Sequence, residues 1–221
     1  MRQTEEPDIT VREWTVDGIG VLSASVEVPQ PPSAAERVQR RIRRFYRLQG
    51  RAFLRYCEWE LLPRAEAEYR AALAASAPLP QFHGALTCAV TYQAGSLWSL
   101  CTQIRETAPP GPVLMTHRGD TWDLAEGYPV PLSAFFPPRS HWRQAALSAA
   151  AETLERREAA GGIRLFPDWR RRLRRSFDPR SFYLTDSGIA LFFPMGAIAP
   201  AVEGVPTVLL PYGSDPPRRA P

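Results

Sequence analysis

The chain has 221 residues, 44% hydrophobic and 23% charged, with a net charge of +4; this is globular composition and excludes a disordered or fibrous protein. At this length folding hides roughly 70% of the unfolded chain's surface, so neither a disulfide framework nor a structural metal is needed for a core. All 27 basic residues are arginine, and lysine and asparagine, whose codons are AT-rich, are both absent; a GC-rich genome accounts for this, and the mild positive charge is a poor argument for a nucleic-acid partner.

The opening MRQTEEPDITVREW lacks a basic segment followed by an apolar one, so no signal peptide is expected. ITVREWTVDGIGVLSASVEVP predicts two strands joined by Asp17-Gly18, a dipeptide that accepts the positive φ of a tight hairpin turn. Leu22, Ala24, Val26 and Val28 fall on one face of the second strand. After PQPP, Ser33-Ala34-Ala35-Glu36 has the spacing of a capping box and predicts a long helix. Along it Val38, Ile42, Phe45, Ala52 and Tyr56 recur at helical spacing, and arginines crowd the remaining surface. Pro63 is expected to divide this helix, which resumes to about Ala75.

Residues 82–106 predict a second hairpin around Ala94-Gly95-Ser96. Centring its turn on Gly95 pairs Tyr92 with Trp98 and leaves Cys88 opposite Thr102 rather than Cys101, so free thiols are expected. With Cys57, the cysteines form neither a framework nor a C-x-x-C pair. APPGP then separates two halves. VLMTHRGDTWDLAEGYPVPLSAFF predicts two short strands and a turn at Glu126-Gly127. A helix is expected from about His141 to Ala160, ended by Gly161-Gly162, and FPDWRRRLRRSF predicts a short one.

The remainder, FYLTDSGIALFFPMGAIAPAVEGVPTVLLPY, is apolar and repeatedly broken. It predicts a hairpin about Asp186-Ser187-Gly188, a stop at Pro194, a packed loop over 196–204 and a last strand from Val205 to Tyr212. Pro194, Pro200, Pro206 and Glu203 interrupt it short of the ~18–20 apolar residues of a membrane helix, so no membrane segment is expected. SDPPRRAP reads as a disordered tail.

The order Phe182-Tyr183-Leu184-Thr185, Gly188, Phe193, Ile198-Ala199-Pro200, Gly204, Pro211-Tyr212 resembles the C-terminal signature of a bacterial extracytoplasmic family. This is the RsiV-like domain of unknown function, found in the anti-sigma factor that responds to lysozyme and beside the catalytic domain of the peptidoglycan deacetylase PdaC. WDLAEGYPVPLSAFF is similar to the family's strand, turn and strand before a helix entry. Where the family carries Gly-Gly-Ala-His-Gly before the strand at Trp122, this chain has TAPPGPVLMTHRG; Gly196-Ala197 and Ala201 stand where aromatics flank Ile-Ala-Pro. The resemblance implies a role at the cell envelope, with a protein or cell-wall glycan as ligand. It makes Phe182, Tyr183, Gly188, Phe193, Ile198, Pro200, Gly204, Pro211 and Tyr212 structural positions rather than catalytic ones.

Candidate chemistry is sparse. His83, His117 and His141 lack the H-E-x-x-H spacing of a metal helix, so neither a metal nor another cofactor is expected. QAGSLWS lacks the G-x-S-x-G elbow, and TDSG is turn chemistry. A Cys88–His117 pair competes with the reading of Cys88 as a small strand hydrophobe. Asp120, Asp123 and Glu126 lie where turns favour acids. DWRRRLRRSFDPR places Arg170, Arg171, Arg172, Arg174, Arg175 and Arg180 near Trp169 and Phe177. Those arginines form either an anion patch, at Arg170–Arg175, or the solvated face of a helix whose Trp169, Leu173 and Phe177 enter the core.

The sequence thus predicts an α+β protein, antiparallel sheets packing against a long N-terminal helix and a second helix in the C-terminal half. It would be organised as a hairpin–helix–hairpin half (1–106), an RsiV-like half (107–213) and a tail (214–221). The expected function is non-catalytic ligand binding or sensing; the alternative is a basic nucleic-acid-associated protein using the Arg170–Arg175 helix.

Overall fold

The computed structural model describes residues 6–212; the tail expected at 214–221 lies outside them. The elements in chain order are strands β1 (Asp8–Val16) and β2 (Ile19–Val28), helix α1 (Glu36–Tyr56), a π-helical turn (Cys57–Leu61) and helix α2 (Leu62–Ala74). Strands β3 (Phe82–Ala94), β4 (Leu97–Thr107), β5 (Leu114–Asp123) and β6 (Tyr128–Pro129) follow. Helices α3 (Trp142–Ala159) and α4 (Trp169–Ser176) precede strands β7 (Phe182–Leu184), β8 (Gly188–Phe192) and β9 (Thr207–Pro211).

Strands β1 to β6 make one sheet in sequence order and β7 to β9 a second, which is antiparallel throughout. The class is α+β, as expected, but one ladder is not antiparallel. β2 and β3 run parallel, from Leu22 opposite Phe82 to Val26 opposite Leu86. Parallel neighbours cannot be joined by a tight turn, and the α1–α2 segment supplies the crossover. The chain forms two compact units from interleaved stretches: one takes the chain up to Cys88 with Gln103–Met115, the other Ala89–Thr102 with the chain from Thr116 onward. The halves expected at 1–106 and 107–213 are sequential by contrast.

In the first unit, Asp17 and Gly18 turn the β1–β2 hairpin at φ 51° and 78°. Helix α1 begins at Glu36 behind Ala35, and no side chain caps it, so the capping box expected from Ser33 does not form. Its buried row is Val38, Ile42, Tyr46, Gly50 and Phe53, whereas Ala52 and Tyr56 of the expected stripe are exposed. Glycine explains the rotation. A Cβ on Gly50 would stand 2.7 Å from Val26 Cγ1, and one on Gly84 3.0 Å from Phe53 Cζ and 3.1 Å from Cys57 Sγ. The helix meets the sheet through a row that contains a glycine, which a count of apolar side chains passes over. Pro63 stands at the start of α2, behind the widened turn over Cys57–Leu61, where its missing N–H is tolerated. Cys57, Cys88 and Cys101 are free thiols.

The second unit has one core. Ala146, Ala150 and Leu154 of α3, Trp169 and Leu173 of α4, and Phe182, Leu184, Ile189, Leu191, Phe193, Ile198, Ala199, Val208 and Leu210 pack together, with Phe177 against them. Each Leu, Ile or Phe fully buried here contributes about 1.5–3 kcal/mol. Every residue of β8 is buried, whereas Val202 and Leu209 of the apolar C-terminal stretch are exposed. A Cβ on Gly188 would collide with the Leu210 carbonyl oxygen of β9, so only glycine lets those strands approach. Gly161, at φ 69°, ends α3.

Candidate functional site

The family-motif residues are scaffold. Phe182 and Phe193 are in the core, and Ile198 is fully buried. Tyr183 stacks on Phe192 with ring centroids 6.1 Å apart. Thr185 Oγ1 donates to the Gly188 carbonyl at 2.8 Å and accepts from the Gly188 and Ser187 amides, so TDSG is a turn closed by its threonine. Pro200 opens a short 3₁₀ turn that Gly204 closes at φ 70°. Pro211 pairs with Gly188. Burial raises the pKa of the Tyr212 hydroxyl well above the ordinary tyrosine range, and Tyr212 packs against the same core.

Among the described residues no three His, Cys, Asp or Glu side chains gather as a metal site would require. The His117 ring meets Phe192 edge-on at 5.8 Å, and neither buried ring nitrogen has a hydrogen-bond partner; burial lowers its pKa. His83 Nδ1 lies 2.7 Å from Ser23 Oγ. Cys57 is buried, and desolvation pushes its thiol up to about 11, which leaves it protonated and unreactive. Asp123 Oδ1 accepts the Ala125 amide at 2.9 Å, a turn role, and Asp120 pairs with Arg118 at 3.3 Å. Ser99 is buried where its hydroxyl accepts the Leu184 amide at 2.9 Å and meets Thr121 Oγ1 at 2.8 Å.

Helix α4 is different. Trp169 and Leu173, four residues apart, enter the core and turn the arginines outward. Asp168 precedes the helix, and its two carboxylate oxygens take Arg171 Nη2 and Arg172 Nε, each at 2.6 Å. Hydrogen bonds from Arg172, then Arg171, hold its carboxyl below the usual carboxylate range. The Arg172 guanidinium also lies 4.6 Å over the Phe166 ring. Arg170 is engaged apart from these, with Glu155 at 2.6 Å and over the Trp169 ring at 4.8 Å. Between α4 and the loop after β8 is a cavity of about 540 Å³ walled by Asp168, Arg171, Arg172, Arg175, Ser176 and Ala197. The loop is anchored there, since the Ile198 carbonyl accepts the Phe166 amide at 3.1 Å. Ser176 donates to the Arg172 carbonyl at 2.8 Å, so its proton is already committed. The structure therefore groups Arg171, Arg172 and Arg175 of the expected patch and directs Arg170 elsewhere. Asp168 was not singled out by sequence, and Ala197 only as a departure from the pattern the chain resembles; the acid three and four residues ahead of two arginines was the available signal.

Residues 133–213 match the model of a family described as a protein of unknown function, DUF3298. No protein of curated function matches the chain. Two solved structures share the fold. One is a member of the DUF3298 family from Bacteroides fragilis, at TM-score 0.63 and 12% identity, over 95% of this chain and 92% of that one. The other is a DUF3298 family protein from Pseudomonas aeruginosa, at TM-score 0.56 and 16% identity, over 95% and 90%. The family model covers the C-terminal stretch, and the likeness of fold extends over nearly the whole chain.

Proposed function

We propose that the protein is a non-catalytic ligand-binding or sensing domain of the RsiV-like kind, acting at the cell envelope on a protein or cell-wall glycan. The observation that carries this reading is the cavity beside α4, lined by Arg171, Arg172, Arg175, Asp168, Ser176 and Ala197. Such a lining suits holding a ligand in place, since both Asp168 carboxylate oxygens are taken by arginines and the Ser176 hydroxyl by a carbonyl. The resemblance of the motif from Phe182 to Tyr212 to the RsiV-like signature supports the finer part of this reading, and that motif lies within the DUF3298 match over 133–213. Among the described residues no helix is long and apolar enough to cross a membrane.

A nucleic-acid role for the Arg170–Arg175 helix has less behind it. Arg170 is paired with Glu155, and Arg171 and Arg172 share Asp168; Arg170 and Arg172 already stack on Trp169 and Phe166. Surface plasmon resonance against immobilised muropeptide, lysozyme and a random oligonucleotide across a salt series separates the readings. Saturable binding to muropeptide or lysozyme is expected. Sub-micromolar oligonucleotide binding with a steep salt slope would overturn the proposal.

A further inference from the structure

We infer that the cavity beside α4 is a binding site for a small multi-oxygen anion, a carboxylate or phosphate group, which shares Arg171 and Arg172 with Asp168 and takes Arg175 as its own donor. This inference rests on the reading of the protein as a ligand-binding domain and names the chemistry of the ligand.

The volume of about 540 Å³ is that of small-ligand sites, which run from roughly 300 to 1,000 Å³. The residues that line it carry an unbalanced charge, three arginines to one aspartate. Among the described residues Arg175 has no acidic or hydrogen-bonding partner for its side chain. Arg171 reaches Asp168 through Nη2 alone and Arg172 through Nε alone, and a guanidinium carries five N–H donors in a fixed fork. Both groups therefore keep donors after pairing with Asp168. They are also held in place before any ligand arrives. Asp168 fixes one end of each, and the Phe166 ring lies under Arg172. Planar forks fixed in this way recognise the paired oxygens of a carboxylate or phosphate. Ala197 adds a methyl group to the lining, on a loop tied by the Phe166 amide to the Ile198 carbonyl. Asp168 thus has two roles, orienting the two arginines and competing with the ligand for their charge.

Isothermal titration of the full chain at low ionic strength, with inorganic phosphate and with succinate as separate probes, tests the inference. One saturable site is expected for at least one probe, and the tighter probe identifies the oxyanion class. Arg175→Gln should weaken it about tenfold or more, as loss of a charge-assisted hydrogen bond does. Arg174→Gln removes the same charge outside the cavity and should leave affinity within about twofold. Asp168→Asn keeps a residue suited to a helix start and should tighten binding several-fold. Equal weakening by Arg174→Gln and Arg175→Gln, tighter binding absent in Asp168→Asn, or no saturable site for either probe would overturn the inference. If muropeptide or lysozyme binds while both anions fail, the anion site falls and the ligand-binding reading stands; anion binding without either envelope ligand has the opposite meaning.

Discussion

The stretch from 182 to 212 and the stretch from 168 to 176 belong to one compact unit and treat their side chains oppositely. The first turns most of its large apolar side chains inward: β8 is buried at each residue, and Gly188 leaves no room for a methyl against Leu210. The second turns only Trp169 and Leu173 inward and gathers charge around a cavity. The first carries the residues of the RsiV-like resemblance and the second the arginine run. Both stretches lie within the DUF3298 match over 133–213; a motif shared among relatives can mark what such a fold needs in order to pack.

If the 182–212 stretch is scaffold, damage to it should appear as lost stability. Phe193→Ala, at a residue 1% exposed, is expected to cost about 3–5 kcal/mol in urea denaturation. Gly119→Ala comes next at about 3 kcal/mol, because the new Cβ would run into the Phe182 carbonyl oxygen and backbone cannot yield as a side chain can. Ser99→Ala strips the buried Leu184 amide of its acceptor and Thr121 of its partner, for about 1–3 kcal/mol. A result near zero for any of the three would move that residue out of the scaffold.

The pH dependence sharpens the same contrast. His117 is held below its usual 6.5 by burial, so the unfolded chain takes up its proton more readily than the folded one. Its contribution to stability is complete above pH 6.5 and is lost as pH falls through the folded-state value. The denaturation midpoint should decline over that window, and His117→Leu should flatten the decline. The smallest effect belongs to α4. Arg175→Gln should change stability by no more than about 0.5 kcal/mol, since Arg175 holds nothing in the folded chain.

Local features were readable from sequence because their causes are local. Asp17-Gly18 makes the turn its dipeptide demands, Gly161 ends α3, and the spacing of Trp169 and Leu173 fixes the inward face of α4. What escaped depends on residues far apart. The parallel β2–β3 ladder joins Leu22 to Phe82, and periodicity within either strand is the same for both directions. The rotation of α1 is set by the absent side chains of Gly50 and Gly84. At the site, the arginines were visible as a run, but their division was not. Glu155 draws Arg170 away, while Asp168 and the loop bearing Ala197 enclose Arg171, Arg172 and Arg175.

The most direct test of the division between scaffold and site is a backbone amide chemical-shift map of the isotope-labelled full chain titrated with muropeptide. The account predicts saturable shifts clustered at Arg171, Arg172, Arg175, Ser176 and Ala197, with the buried amides of β8 unmoved. Shifts concentrated elsewhere, with the α4 amides still at saturation, would contradict it.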